Sequence, residues 1–210
     1  LKASDDTARN ARHRPIRGET PMNRREQIIA CTRELYEEKG LTKTSVQDIA
    51  DKVGVARSLF YHYFTDKDDV TSAVLDSYIE EFLAMLKAWN EQRIEGDVEH
   101  ALRTLVPVLR RGLFDRDSFR RALASRENAA LYIDFINRVA DKAAHYIITT
   151  TVEDYGRLHE IRINHVYESF YMLILGVVGY LRTHPNTDDS IIEDIIAQSL
   201  HLDRGKAGPA

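Results

Sequence analysis

The sequence is short of cysteine and of long apolar runs. With one cysteine, Cys31, in 210 residues, no disulfide can form within the chain, which is compatible with a reducing, cytoplasmic location. The longest strongly apolar stretch, residues 170–181, contains two glycines and is shorter than the roughly 18–20 residues that cross a membrane. The arginines within residues 9–17 are followed by no apolar stretch. We therefore expect neither a membrane segment nor a secretory signal.

Motifs for catalysis or metal binding are also missing. None of the histidines lies in an HExxH pattern, and His159 and His165 share no clear helix face with a carboxylate. The sequence has no glycine-rich phosphate loop and no nucleophile elbow. Cys31 falls on the apolar stripe of a predicted helix, where a thiol is usually an inert core residue. We expect no enzymatic activity, no cofactor and no metal.

Charge is unevenly distributed along the chain. Residues 1–67 contain 13 Lys and Arg against 10 Asp and Glu, a net +3, whereas residues 68–210 contain 16 against 23, a net −7. The asymmetry indicates two parts with different partners, although an excess of this size does not by itself identify a nucleic-acid partner.

Apolar residues recur at helical spacing in the first half of the chain, and no segment alternates as a strand does. The pattern predicts helices over 24–39, over a short segment ending at Gly54, over 56–63 and over 67–90. Thr44 with Gln47 forms a capping-box pattern for the second of these helices. Asp66 with Asp69 can cap the fourth. We interpret residues 1–21 as a disordered basic tail.

The second half is also predicted to be helical. A helix kinked at Pro107 precedes a loop with a short helix over 111–125, and a long helix over 127–152 is closed by Gly156. A helix over 160–183 becomes apolar on every face, and Thr187 or Asp188 caps the last helix. The expected fold is all-α with about nine helices, and residues 204–210 form a second disordered tail.

The spacing of Ala50, Gly54 and Phe60 matches that of a helix-turn-helix unit. Such a unit needs a small residue where its helices cross and a glycine in the tight turn. Any two packed short helices can show part of this pattern, so DNA binding and simple helix packing both remain open at this point.

A longer signature resembles the N-terminal part of TetR-family transcriptional regulators. It consists of segments 44–50 (TSVQDIA), 54–55 (GV), 60–64 (FYHYF) and 67–68 (KD), within about residues 24–70. Beyond these residues the resemblance is architectural only, in a helical C-terminal body. It implies a helix-turn-helix domain over 22–67 and an effector-binding and dimerisation domain over 68–203.

The resemblance also implies how the chain would bind DNA. A homodimer would place the helix at 56–63 of each subunit in successive major grooves of double-stranded DNA, on a palindromic operator with centres about 34–36 Å apart. Arg57 suits a base or phosphate contact, and Tyr61 and His62 suit phosphates. Ala56 and Leu59 depart from the polar residues usual in the family. The implied contact residues are Thr44, Ser45, Ala56, Arg57, Ser58, Leu59, Tyr61, His62 and Lys67.

Two interpretations fit the apolar helices near the C-terminus. They can be buried inside their own domain, or they can form a four-helix bundle with a second copy of the chain. The resemblance favours the dimer. The interface is then expected to contain Phe170, Leu173, Ile174, Val177, Val178, Leu181, Ile192, Ile195, Ile196 and Ser199.

The resemblance further implies a small apolar or aromatic effector that releases a repressor from its operator. Hydroxyl-bearing residues on predicted inward faces suit such a pocket, although tyrosines at helical spacing are also common core residues. These candidates are Tyr132, Tyr146, Thr150, Tyr167 and Tyr171. A DNA-binding regulator that has no small-molecule ligand and is controlled by a partner protein, or that organises the nucleoid, remains the alternative.

Overall fold

The structure is a computed structural model, and it describes residues 23–114, residue 123 and residues 128–202. The two predicted tails, and most of the loop predicted over 111–125, lie outside these residues. Residues 111–114, at the start of that loop, are helical instead.

The described residues form helices and contain no strand, in agreement with the predicted all-α fold. Eight helices are present in this part of the chain when the continuous stretch over 129–158 is counted as one. They are α1 (Arg24–Lys39), α2 (Val46–Val53), α3 (Arg57–Tyr63), α4 (Lys67–Gln92), α5 (Val98–Phe114), α6 (Ala129–Ile147) with a π segment (Ile148–Val152) and α7 (Glu153–Leu158), α8 (Val166–Thr183) and α9 (Asp189–Ser199).

Three groups of buried side chains hold these helices together. The first joins α1, α2 and α3 to the start of α4 through residues such as Ile28, Ile49 and Phe60. The second lies between the rest of α4 and α6, and the third lies between α5, α8 and α9. Because α4 contributes to the first two groups, it links the N-terminal helices to the body of the protein.

The structure corrects the predicted cap of α2. Ser45, not Thr44, is the N-cap, and its partner three residues later is Asp48, not Gln47. The other end signals are confirmed: Gly40 and Gly54 end α1 and α2 at positive φ, while Asp66 and Asp188 cap α4 and α9.

Two boundaries in the second half were predicted wrongly. Gly156 does not close the long helix, which continues as α7 to Leu158 after the π segment. A Cβ on Gly156 would lie 3.1 Å from Ile161, so the glycine leaves room for the following loop. The next helix begins at Val166 rather than near residue 160, because residues 159–165 are irregular and His165 adopts a left-handed conformation.

In the part of the chain that the structure describes, no helix combines the length and the apolar content that a bilayer crossing requires.

Candidate nucleic-acid interface and internal cavity

A tight turn sets the position of α3 relative to α2. Gly54 has φ +74° and ψ 41°, and its N–H donates to the carbonyls of Ala50 and Asp51. The Val55 N–H donates to the same Ala50 carbonyl at 2.9 Å. These bonds satisfy the last carbonyls of α2 in a left-handed turn that favours glycine. Ala50 is fully buried, so the small residue lies inside the packed N-terminal helices.

Polar groups are arranged around the N-terminus of α2. The Asp48 N–H donates to Ser45 Oγ at 3.2 Å, and the Ser45 N–H donates to Asp48 Oδ2 at 2.7 Å. Hydrogen bonds from Ser45, followed in size by the hydrogen bond from Lys39, hold the pKa of Asp48 well below its usual range. Ser45 is exposed, as the predicted phosphate contact requires.

Thr44 lies elsewhere than predicted. Its side chain is only 2% exposed, and its hydroxyl donates to the Gly40 carbonyl at 2.8 Å. The hydroxyl therefore closes the connection between α1 and α2 and does not reach the surface.

One face of α3 is polar and exposed. Arg57, Ser58, Tyr61 and His62 all lie on the surface, and the pairs Arg57 with Tyr61 and Ser58 with His62 are each four residues apart, the spacing of neighbours on one side of a helix. The Arg57 guanidinium donates to the Tyr61 hydroxyl at 2.9 Å and lies 5.4 Å from the centre of its ring. Ala56, at the N-cap of α3, makes no capping hydrogen bond through its side chain and is exposed, and Leu59 is half-buried.

The opposite face of α3 is anchored by Phe60. This side chain is fully buried, and its ring lies 5.4 Å from the ring of Tyr61 and 5.7 Å from that of Phe64. It packs with α1, α2 and the first turns of α4. Three helices therefore fix the orientation in which α3 presents its polar face.

Lys67 begins α4, and its ammonium donates to the Leu41 carbonyl at 2.7 Å. Burial lowers the pKa of Lys67. Near it, the buried Tyr36 hydroxyl shares a 2.7 Å hydrogen bond with Thr71, and burial raises the pKa of Tyr36 to about 12. These contacts hold the start of α4 against the end of α1.

Sequence reasoning missed two cations near these helices. The Arg25 guanidinium lies 5.0 Å from the ring centre of Phe64, directly after α3, and Lys43 is exposed before α2. By contrast, Lys52 pairs with Glu34 and Glu38, at 3.1 and 2.6 Å. In the described chain neither Arg25 nor Lys43 has a carboxylate within 4.0 Å. In the sequence, only their position next to the signature could have singled out Arg25 and Lys43.

A cavity of about 130 Å³ lies at the far end of α4. Its walls come from the end of α4 and the following loop, the start of α5, the π segment with α7, the start of α8 and the end of α9. Apolar side chains dominate the lining, including Trp89, Leu102, Ile147, Ile163, Phe170 and Ile196.

Polar groups connect α4 to the opposite wall of the cavity. The Arg93 guanidinium donates to Asn90 Oδ1 at 2.8 Å and to Asp154 Oδ2 at 2.6 Å. The Thr151 hydroxyl donates to the same Asn90 oxygen at 2.7 Å. The end of α4 is thereby hydrogen-bonded to both the π segment and α7.

The five residues predicted to bind an effector do not line this cavity. Tyr167 and Tyr171 instead line an open surface groove beside α6, where a hydrogen bond to Asp141 raises the pKa of Tyr167 to about 12. The Tyr132 ring lies under the Arg182 guanidinium at 4.2 Å. Tyr146 packs against the core, and the Thr150 hydroxyl donates to its carbonyl. Helical periodicity assigned these five residues to helix faces, but it could not show which helices enclose a cavity.

The structure also corrects half of the expected interface residues. Within the protomer, the core formed by α5, α8 and α9 buries Val177, Leu181, Ile192 and Ile196, and Val178 is buried against α4 and α6. Phe170, Leu173 and Ile174 pack partly against the same cores. Ile195 and Ser199 are exposed.

A different apolar face of α8 and α9 is open to solvent. Met172 is 64% exposed and Ile191 is 49% exposed, and Tyr180 and Ile195 are also on the surface. Gly179 lies in the same stripe, and a Cβ added to it would meet no atom of the described residues within 4 Å. We call Met172, Gly176, Gly179, Tyr180, Ile191 and Ile195 the open face. Once the neighbouring apolar stripe of α8 and α9 is known to be buried, helical periodicity predicts that the open face is exposed.

Comparison with known proteins agrees with this geometry. A family model for bacterial regulatory proteins of the tetR family matches residues 28–74. An HTH-type transcriptional regulator from the lacX 3′ region of Lactococcus lactis subsp. lactis is 32% identical over 74 residues, 35% of this chain and 34% of that protein. The match therefore spans about a third of the length of that relative.

Solved structures resemble almost the whole described fold. The TetR family repressor AlkX from Dietzia sp. is similar with a TM-score of 0.64 and 18% identity, over 87% of this chain and 98% of AlkX. RolR, solved in complex with the ligand resorcinol, has a TM-score of 0.54 and 18% identity, over 85% of this chain and 86% of RolR. The signature in α1 to α4 is thus similar to that of the tetR family of bacterial regulatory proteins, and the helical fold resembles solved structures of that family.

Proposed function

We propose that this protein is a dimeric, sequence-specific DNA-binding transcriptional regulator, most simply a repressor that a small molecule releases from a palindromic operator. The polar face of α3, held outward by the buried Phe60, is the observation that carries the proposal. Its relatives are named as transcriptional regulators, which supports a binding protein rather than an enzyme.

The contacts proposed for DNA follow from exposure and charge. Arg57 offers a planar donor fork that fits guanine O6 and N7, and Ser58, Tyr61 and His62 flank it on the same face. Ser45 at the N-terminus of α2 and the cations Arg25 and Lys43 suit phosphates. Ala56 and Leu59 offer apolar contact to thymine methyl groups. Thr44 and Lys67, which are hydrogen-bonded inside the domain, are assigned to positioning instead.

Replacing Arg57 with alanine tests the DNA proposal. If Arg57 reads a base, the variant should lose about 1–3 kcal/mol of binding free energy and discriminate less between sequences. Fluorescence anisotropy on DNA from beside the gene, against scrambled DNA and across a salt series, measures both effects. Specific binding should withstand salt better than binding to the scrambled control.

Lys52→Ala is the matched control, since it removes one positive charge from the same domain. That ammonium is already paired with two carboxylates, so specific binding should stay close to wild type. Equal losses for the two variants would mean that general charge, not readout by Arg57, governs binding. Equal, weak and salt-sensitive binding to both DNAs by the wild type would contradict site-specific recognition at that DNA.

For the dimer we propose the open face of α8 and α9 as the contact between two copies. A two-fold contact needs the same patch on both subunits, and two helices in contact that both expose apolar residues can form half of a four-helix bundle. Gly176 and Gly179 leave space for a partner backbone to approach closely.

A charge on the open face should separate the protomers. Ile195→Asp is expected to raise the dimer dissociation constant at least about tenfold, because two carboxylates would lose hydration in one symmetric contact. Sedimentation equilibrium measures the constant. Ile133→Asp, on α6, is the control because Ile133 is 60% exposed and outside the open face. Unchanged association of Ile195→Asp would place the interface elsewhere.

The cavity supports control by a small molecule. It lies at one end of α4, whose 26 residues span about 39 Å at 1.5 Å per residue, and the N-terminal helices pack on the other end. A ligand would act by binding one arrangement of α4 more tightly than another. RolR shows that a protein of this fold can bind a small aromatic molecule. A chain that binds operator DNA but no small molecule would instead favour control by a partner protein.

A further inference from the structure

We infer that the cavity at the end of α4 takes a small, neutral, hydroxylated ligand, a phenol or alcohol of about one ring, with its hydroxyl on His159 Nε2. The inference rests on the proposed function in one respect only, which is that this ligand is taken to be the effector. The binding site itself is argued from the size of the cavity, its charges and one unpaired polar atom.

Size and lining limit the body of the ligand. The cavity measures about 130 Å³, and Trp89, Leu102, Ile147 and Phe170 are among the apolar side chains that line it. An apolar protein cavity of about 150 Å³ stays dry and binds benzene. A single ring, or a hydrocarbon of similar volume, therefore fits this space without displacing the helices.

The charges around the cavity argue against a charged ligand. Arg93 is 9% exposed and pairs with Asp154 at 2.6 Å. Asp97 accepts a hydrogen bond from the His100 N–H at 2.9 Å, at the start of α5. Arg162 also lines the cavity and lies 3.6 Å from Glu160. Arg93, Asp154 and Arg162 already have partners of opposite charge, and Asp97 is exposed to solvent. A carboxylate or ammonium group would therefore be buried in the cavity without its own counter-charge, at a large cost.

One polar atom of the lining lacks a partner. His159 Nε2 is buried and has no hydrogen bond within the described structure, and His159 is the only cavity-lining residue of which this is true there. The ring is held in place by stacking on Tyr155, with centres 4.6 Å apart.

A hydroxyl group matches this atom in either form of the imidazole. Nε2 donates in one neutral tautomer and accepts in the other, whereas a hydroxyl both donates and accepts. An unpaired buried polar atom destabilises its surroundings, so supplying the missing bond favours binding. A carbonyl or an ether could satisfy only the donor form of Nε2.

The test is titration calorimetry of the full chain with phenol, benzene and benzoate, three probes that share one ring. Phenol should bind about tenfold more tightly than benzene, as expected for one hydrogen bond to a buried group. Benzoate should bind at least about tenfold more weakly than phenol. Equal affinity for phenol and benzene, a preference for benzoate, or no binding of any probe would overturn the inference.

Variants then locate the hydroxyl. His159→Phe keeps an aromatic ring for stacking but removes the nitrogen, so it should abolish the preference for phenol while still binding benzene. His184→Phe is the matched control, since His184 also follows a helix and stacks on a tyrosine, Tyr180, at 4.3 Å, but is exposed and outside the cavity. It should retain the preference for phenol. A preference for phenol that survives His159→Phe would place the hydroxyl elsewhere.

Two measurements keep the inference separate from the proposed function. If His159→Phe does not fold, the order of affinities in the wild type still decides the ligand class. Anisotropy on operator DNA without any probe tests DNA binding alone. Specific DNA binding with no binding of the probes would overturn only the ligand inference, and binding of phenol without specific DNA binding would overturn only the proposed regulator.

Discussion

Phe60→Ala should lower the free energy of unfolding of the N-terminal helices by about 3–5 kcal/mol, the usual cost of removing a buried phenylalanine. Phe60 is fully buried between α1, α2, α3 and the start of α4, and it is the only fully buried residue of α3 among those described. The seven residues of this helix are too few to be stable without tertiary packing. Specific DNA binding should therefore be lost along with the stability.

Urea unfolding followed by circular dichroism measures this loss. Tyr61→Ala is the control, because the neighbouring aromatic is 46% exposed and touches Phe60 only at the edge of its ring. Tyr61→Ala should lower the free energy of unfolding by no more than about 1 kcal/mol, the contribution of one aromatic pair. Similar losses at the two positions would contradict the assignment of Phe60 as the anchor of α3.

The first four helices were predictable because their signals are local. Gly40 and Gly54 end helices by their backbone freedom, and Asp66 caps α4 with its own side chain. The polar face of α3 follows in the same way from the spacing around Phe60. The cap of α2 was misassigned by one residue because Thr44 and Ser45 have nearly equal capping chemistry. Only the packing of Thr44 against the end of α1 decides between them.

The cavity and the open face depend on tertiary structure that no local pattern specifies. Apolar periodicity shows that α8 has residues to bury, but not whether its own chain or a second copy covers each stripe. Val177 and Tyr180 illustrate this, since one is buried and the other exposed on the same apolar helix. The π segment likewise shifts the register after Ile147, so a regular helical projection misplaces every residue that follows it.

In the proposed control by a small molecule, the connection of α4 to the cavity is the part that is most specific to this chain. Two residues at its end, Asn90 and Arg93, bind the π segment and α7 through side chains rather than through the general apolar core. Hydrogen bonds of this kind break when the two walls of the cavity separate by about 1 Å, whereas apolar contacts are not directional and tolerate such a shift. A ligand that changes the distance between these walls is therefore coupled to the position of α4.

Arg93→Met is expected to destabilise the body of the protein by about 2 kcal/mol. Removing one member of a buried ion pair usually costs about 3–5 kcal/mol because the other charge is left unpaired. The cost should be smaller here, since Asp154 is 32% exposed and Arg157 lies 3.3 Å from its other oxygen. Fluorescence of Trp89, the single tryptophan, reports unfolding at this end of α4.

The decisive comparison is with the double variant Arg93→Met/Asp154→Leu. Replacing both members of a buried pair with apolar residues is often neutral or stabilising, so at least half of the lost stability should return. The double variant should also bind probes in the cavity yet transmit less of that binding to DNA affinity, because α4 has lost its directional contact with α7. Arg157→Met, at a side chain that is 64% exposed, should change stability by less than about 0.5 kcal/mol. A double variant no more stable than Arg93→Met would show that Arg93 acts through its bond to Asn90, within α4, rather than by joining α4 to α7.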